Sequence, residues 1–132
     1  MYVAKGSFEV IITPSKDAAE ADGVSLGRFA LEKSFTGDLV GAAEGEMLTV
    51  RTATEGSAGY VAIERFTGSL SGLTGTFVLQ HTGTMQAGDQ ALAISIVPDS
   101  GTGELSGISG DFYLRIEDGD HYYELKYSLG DQ

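Results

Sequence analysis

A phrase of the form Gly-x-Phe/Met recurs four times, at Gly6–Phe8, Gly45–Met47, Gly75–Phe77 and Gly110–Phe112. Its starts are 39, 30 and 35 residues apart. A second phrase, Thr-Gly-x-Leu, occurs at 36–39, 67–70 and 102–105. Self-similarity at this spacing marks a repeated supersecondary unit. Each Gly-x-Phe/Met opens a run with period-two alternation: "FEVIIT", "MLTVRTAT", "FVLQHTGTM" and "FYLRIED". Between these runs lie "LGRFALEKSF", "YVAIERF", "ALAISIVPD" and "HYYELKYSL". Alternation rich in Val, Ile, Tyr, Phe and Thr reads as β-strand.

Two strands per unit and four units give eight strands in four hairpins. A meander of long antiparallel strands closes into a barrel, which removes exposed sheet edges. The expectation is an all-β, eight-stranded antiparallel meander barrel forming one domain over residues 1–132. The glycines inside strands then serve where strands bend at barrel corners. A phosphate loop would need Gly-Lys-Ser/Thr opening a helix, which "GTGELSGISGDF" at 101–112 does not offer. The polar stretch "PSKDAAEADGVS" at 14–25 reads as a loop, with a short helical turn over 16–21.

The chain lacks cysteine, which excludes disulfides and Cys-based chemistry. Its start has neither a basic region nor a long apolar run, so no signal peptide is expected, and a cytoplasmic location is. No segment offers the ~20 apolar residues of a membrane-spanning helix. A net charge of −11, from 19 acidic against 8 basic residues, opposes binding to nucleic acid and to anionic membrane surfaces. No metal or cofactor is implied.

Alternation also assigns faces. With the repeated aromatics inward, the interior includes Phe29, Lys33, Phe35, Arg51, Tyr60, Glu64, Phe66, Phe77, His81, Asp99, Phe112 and Tyr127. The ionisable members are Lys33, Arg51, Glu64, His81 and Asp99. Glu64 falls beside Leu79 to His81 across one hairpin, and Asp99 is expected on the next strand. Carboxylates and an imidazole inside an apolar barrel would have shifted proton affinities. Glu64 is then a candidate base or cation stabiliser, His81 an acid or base, and Asp99 a third catalytic group. Arg51, Tyr60, Phe66, Phe77 and Tyr127 are the candidate ligand-binding residues. The competing explanation is a structural network, with Arg51 neutralising Glu64 and Asp99 capping a turn after Pro98. Lys33 and Arg51 are read as structural. On the exterior, Leu48, Val50, Val61, Ile63, Val78, Leu92, Ile94 and Ile96 make one half aliphatic, a surface expected to be covered by a second subunit. The expected assembly is a homodimer or higher homo-oligomer.

Other motifs carry less. "DSGT" at 99–102 matches an aspartic-protease signature, but the repeat already accounts for Gly101–Gly103. "GSAG" at 56–59 lacks the spacing of a hydrolase elbow. "DGDHYYE" at 118–124 reads as a hairpin turn at Asp118-Gly119 rather than a calcium loop.

The stretches "SAGYVAIERFTGSLSGLTGTFVLQHTGTM" at 57–85 and "VPDSGTGELSGISGDF" at 97–112 resemble a family of small uncharacterised bacterial proteins. The resemblance spans about 4–129 and implies the barrel of plant allene oxide cyclase. By analogy of fold it implies a pocket-shaping role, as in cyclases of unsaturated small molecules, and it transfers no active residue. The functional expectation is a barrel that binds a small apolar or unsaturated molecule, with isomerase or cyclase chemistry. A non-catalytic carrier and a purely structural oligomeric barrel are the alternatives.

Overall fold

The computed structural model describes residues 1–130, Asp17 by its backbone only. Eight long strands form the sheet: β1 (Tyr2–Ala21), β2 (Val24–Gly37), β3 (Leu39–Arg51), β4 (Ala58–Leu70), β5 (Leu73–Gln86), β6 (Asp89–Ile96), β8 (Ser109–Glu117) and β9 (Asp120–Ser128). A two-residue bridge, β7 (Thr102–Gly103), adds a short pairing to β5. Neighbours run β4-β3-β2-β1-β9-β8-β6-β5, and β5 pairs back onto β4, so the antiparallel barrel closes. No helix occurs among the described residues, and none is therefore long and apolar enough to cross a membrane.

Four tight turns at Asp22-Gly23, Ser71-Gly72, Ala87-Gly88 and Asp118-Gly119 have positive φ at both residues. That conformation matches the right-handed twist of a hairpin and suits glycine at its second position. The stretch read as a loop at 14–25 is instead the far part of the first hairpin. Ala19, Glu20 and Ala21 pair with Leu26, Ser25 and Val24, past two bulges at Pro14/Lys16 and Lys16/Ala19. The bulges absorb the proline and the irregular polar pattern without breaking the hairpin, so no helical turn forms over 16–21.

Most of the repeated phrases build the closed end of the barrel; Met47, from the second Gly-x-Phe/Met, faces the other end. Phe8, Phe35, Phe66, Phe77 and Phe112 are buried, as are Leu39, Leu70 and Leu105. Their rings contact in series: Phe66 with Phe77 at 5.0 Å, Phe35 with Phe66 at 5.6 Å and edge-on, Phe35 with Phe112 at 6.3 Å. Leu105 and Ile108, in turns that follow β7, cap this end. Beneath the rings runs a row of paired glycines, Gly41 with Gly68, Gly68 with Gly75, and Gly75 with Gly103. A Cβ on Gly68 would lie 2.8 Å from Gly41 Cα. The backbones approach so closely that a side chain has no room, which is why the phrase repeats.

One strand is turned over relative to expectation. Ile94 and Ile96 are buried in the core, and Ser95 is exposed. Leu79 faces Ile96, so an unbroken ladder would set Thr76 opposite residue 99; Thr76 instead faces Thr102. The turn over Val97–Ser100, with Asp99 at φ 62°, takes up these three residues. An odd slip inverts every face before it, because side chains alternate with period two. The repeat-based equivalence of Asp99 with Lys33 ignored this turn. The exterior aliphatic set therefore loses Leu92, Ile94 and Ile96, and keeps Leu48, Val61 and Ile63 exposed with Val50 and Val78 half-buried.

Candidate functional site

The middle of the barrel is polar. Glu64 on β4, His81 on β5 and Lys33 on β2 are all buried. Lys33 Nζ donates to Glu64 Oε1 at 3.0 Å and lies 2.9 Å from Oε2. Nζ also sits 4.9 Å from the centre of the Phe8 ring, a cation–π contact in a desolvated setting. His81 Nε2 is 3.3 Å from Glu64 Oε1, out of line for a hydrogen bond. Its other nitrogen, Nδ1, is 3.3 Å from the Tyr60 hydroxyl. A chain of groups thus runs Tyr60, His81, Glu64, Lys33.

Local structure places each member. Ala62 pairs with His81 and Glu64 with Leu79, so Glu64 and His81 sit diagonally on neighbouring strands. Lys33 is two strands from Glu64. It reaches across β3, where Ala43 and Gly45 leave space: Lys33 pairs with Ala43, and Gly45 pairs with Glu64. A Cβ on Gly45 would lie 2.6 Å from Glu64 Cα.

Electrostatics follows from this packing. Burial pushes the Glu64 carboxyl up, but the His81 imidazole and the Lys33 ammonium outweigh it and hold the group below the usual carboxylate value. Burial, and then the Glu64 charge, raises Tyr60, so its phenol stays protonated at neutral pH. A carboxyl depressed in the folded state contributes stability that is complete above its unfolded value, near 4.5, and is lost as pH falls through the lower folded value. Melting temperature is therefore expected to lose this contribution below about pH 4.5, and a Glu64→Gln variant should lack that step. Matched acid titrations of both proteins, followed by circular dichroism, check it.

Above this cluster a cavity of about 660 Å³ opens at the end of the barrel opposite the aromatic plug. Phe29, Met47, Thr49, Tyr60, Leu92 and Leu114 face it from five strands, with Arg51 at its rim. Tyr60 belongs both to this wall and to the buried cluster. Its ring occupies space left by Gly83, where a Cβ would strike it. On one side β6 and β8 share a single paired rung, Ser95 with Asp111, and Leu92 and Leu114 flank the seam beyond it.

Several sequence-based placements change. Asp99 is exposed in the turn after β6 and does not join Glu64 and His81. The three-residue slip removes it. Phe66, Phe77 and Tyr127 are buried in the hydrophobic core and line none of this cavity, because the repeated aromatics pack on one another. Arg51 is exposed at the rim and does not neutralise Glu64; Lys33 does. Tyr60 lies at the junction. The wall residue Phe29 was inward by parity, yet alternation gives no depth along a barrel and so could not separate mouth from plug.

The family model "Protein of unknown function (DUF3224)" matches residues 4–127. No curated protein matches. Among solved structures, the chain is similar to a crystal structure of a protein with unknown function from the DUF3224 family of Shewanella oneidensis MR-1, determined at 1.84 Å. The two share 46% identity over 100% of this chain and 99% of that one, with a TM-score of 0.95.

Proposed function

Because the chain belongs to the DUF3224 family, whose description assigns no activity, its chemistry has to be read from its own residues, and we propose that it is a small-molecule-binding barrel with isomerase or cyclase chemistry centred on Tyr60, His81 and Glu64. The observation that carries this reading is the double membership of Tyr60, in the cavity wall and in the buried chain of groups. An apolar cavity of this size with a few convergent polar groups is the usual form of a small-molecule site. The wall would hold a flexible apolar or unsaturated molecule in one reactive shape.

The proposed step needs no cofactor. A proton leaves a ligand carbon for the Tyr60 oxygen as the Tyr60 proton passes to His81 Nδ1. The imidazolium so formed faces Glu64, whose own charge Lys33 balances. Reversal returns the proton to a different carbon and leaves an isomer, with Tyr60 and His81 restored. The raised phenol favours transfer in concert over a free phenolate.

Native mass spectrometry of protein purified from cells tests the reading. A co-purified small molecule is expected on the wild type and is expected to be missing from Thr49→Trp, which fills the cavity. Retention by Tyr60→Phe with loss of turnover places that hydroxyl in the chemistry. A molecule held equally by Thr49→Trp would contradict a site in this cavity.

We also propose that the exterior of β3 and β4 pairs two copies of the chain. Leu48 faces Val61 across these strands, with Ile63 beside them, each about half exposed at 54%, 49% and 51%. The Arg28–Glu46 ion pair, at 2.7 Å, sits beside these residues, Arg28 opposite Leu48 and Glu46 opposite Ile63, and its opposite charges offset one another. The wild type is expected to sediment as a dimer at micromolar concentration, and Leu48→Lys with Ile63→Lys as a monomer. A monomeric wild type would contradict this face.

A further inference from the structure

The charge on the cavity wall runs against the charge of the whole molecule. The chain carries −11 overall, yet no carboxylate among the described residues lines the cavity. Arg51 is the one charged side chain among those lining residues. No ion pair among the described residues engages its guanidinium, although acids outnumber bases by 19 to 8. Arg65 is likewise without an ion pair among the described residues, but Arg51 stands at the mouth of an apolar chamber.

Register fixes where Arg51 stands relative to Tyr60. Arg51 ends β3 and pairs with Ala58, and Thr49, two residues further in, pairs with Tyr60. Two residues of strand are about 7 Å. The site therefore has a cationic fork at its entrance and a protonated phenol roughly one strand period deeper, with Phe29, Met47, Leu92 and Leu114 around them.

We infer that the ligand of this cavity is an organic monoanion, an apolar body carrying one carboxylate-like head, bound with the head on Arg51 and the body running inward to Tyr60. This rests on the proposed small-molecule site and adds the ligand's charge and direction. The planar guanidinium can donate two parallel hydrogen bonds to such a head, which a neutral molecule cannot accept with equal strength. The acidic exterior opposes adventitious anion binding, so anion preference in this protein requires a local cation. The lack of a carboxylate among the described lining residues weighs against organic cations by the same logic. The orientation sets the inner part of the body, away from the head, against the Tyr60 hydroxyl, where the proton transfer occurs.

Two fluorescent dyes with the same anilinonaphthalene body separate the head from the body: neutral N-phenyl-1-naphthylamine and anionic 1-anilinonaphthalene-8-sulfonate. Both are titrated into the full chain as wild type, Arg51→Gln, Arg51→Lys and Thr49→Trp. The wild type is expected to bind the anionic dye about tenfold more tightly than the neutral one. Arg51→Gln should remove that difference and leave the neutral dye unchanged, and Arg51→Lys should restore part of it. Arg51 is exposed, so these variants are expected to fold, and unchanged melting confirms it. Equal binding of both dyes to the wild type, blocked by Thr49→Trp, would overturn the anion preference and leave the cavity standing. Failure of both dyes to bind, or binding that Thr49→Trp does not affect, would overturn the cavity reading itself.

Discussion

Glu64→Gln is expected to destabilise the protein by about 3–5 kcal/mol, the cost of breaking a buried ion pair on one side. Glu64 is 1% exposed and Lys33 9%, so water cannot replace the lost partner. Removing the carboxylate leaves the Lys33 ammonium inside the barrel against Phe8, and leaves His81 without the charge it faces at 3.3 Å. A loss of that size lowers the melting temperature by on the order of 10–20 °C in a domain of this length. The double variant Lys33→Met with Glu64→Gln should recover much of it, because the uncompensated charge goes with the lysine. Thermal melts of the wild type and of both variants check this, and a single variant as stable as the wild type would show that the two groups are not paired inside the fold. The same pair bears on function. If stability were its whole role, the double variant should regain stability with ligand turnover intact; a relay loses turnover in both.

Phe66→Ala is expected to cost about 3–5 kcal/mol as well, for a different reason. Its ring is fully buried and bridges Phe35 on one side and Phe77 on the other. Truncation removes the apolar transfer energy and opens a void between strands that the glycine row holds rigidly together. The neighbours cannot collapse into it without moving backbone. Chemical denaturation should show the loss as a lower midpoint with an unchanged slope. Dye binding at the mouth should survive below the transition, since Phe66 belongs to the plug. Loss of binding without loss of stability would mean that the ring faces the ligand after all.

The barrel was legible because its determinants are local and repeated. Gly68 and Gly75 are glycine because backbones meet there, and Phe66 and Phe77 are aromatic because they fill the space inside. Both constraints recur along the chain, although Met47 stands in the aromatic's place in the second unit and faces the cavity. The inward placement of Glu64 and His81 was equally readable, each lying an even number of residues from a buried phenylalanine on its own strand. Asp99 failed because parity survives only an unbroken ladder, and the turn at Val97–Ser100 inserts an odd number of residues. Pro98 was the visible sign that the ladder stops. The Lys33–Glu64 pair was hidden for a different reason. It spans an intervening strand, and it depends on the small residues Ala43 and Gly45, which pairwise reasoning between neighbours does not weigh. The split between plug and cavity depends on strand stagger around the barrel, which no single strand encodes.

The chain holds two histidines, and they make a built-in comparison for the coupling of Tyr60 to the buried cluster. His81 contacts Tyr60, whereas His121 packs against Phe8 and lines none of the cavity. Nitrogen NMR of both rings, recorded while N-phenyl-1-naphthylamine is titrated in, reads that coupling directly. Occupation of the cavity should shift the Nδ1 resonance of His81 and leave His121 unmoved, and Tyr60→Phe should abolish the His81 response while the dye still binds. A dye that fills the cavity and leaves His81 as silent as His121 would contradict the link between cavity and relay on which the proposed chemistry depends.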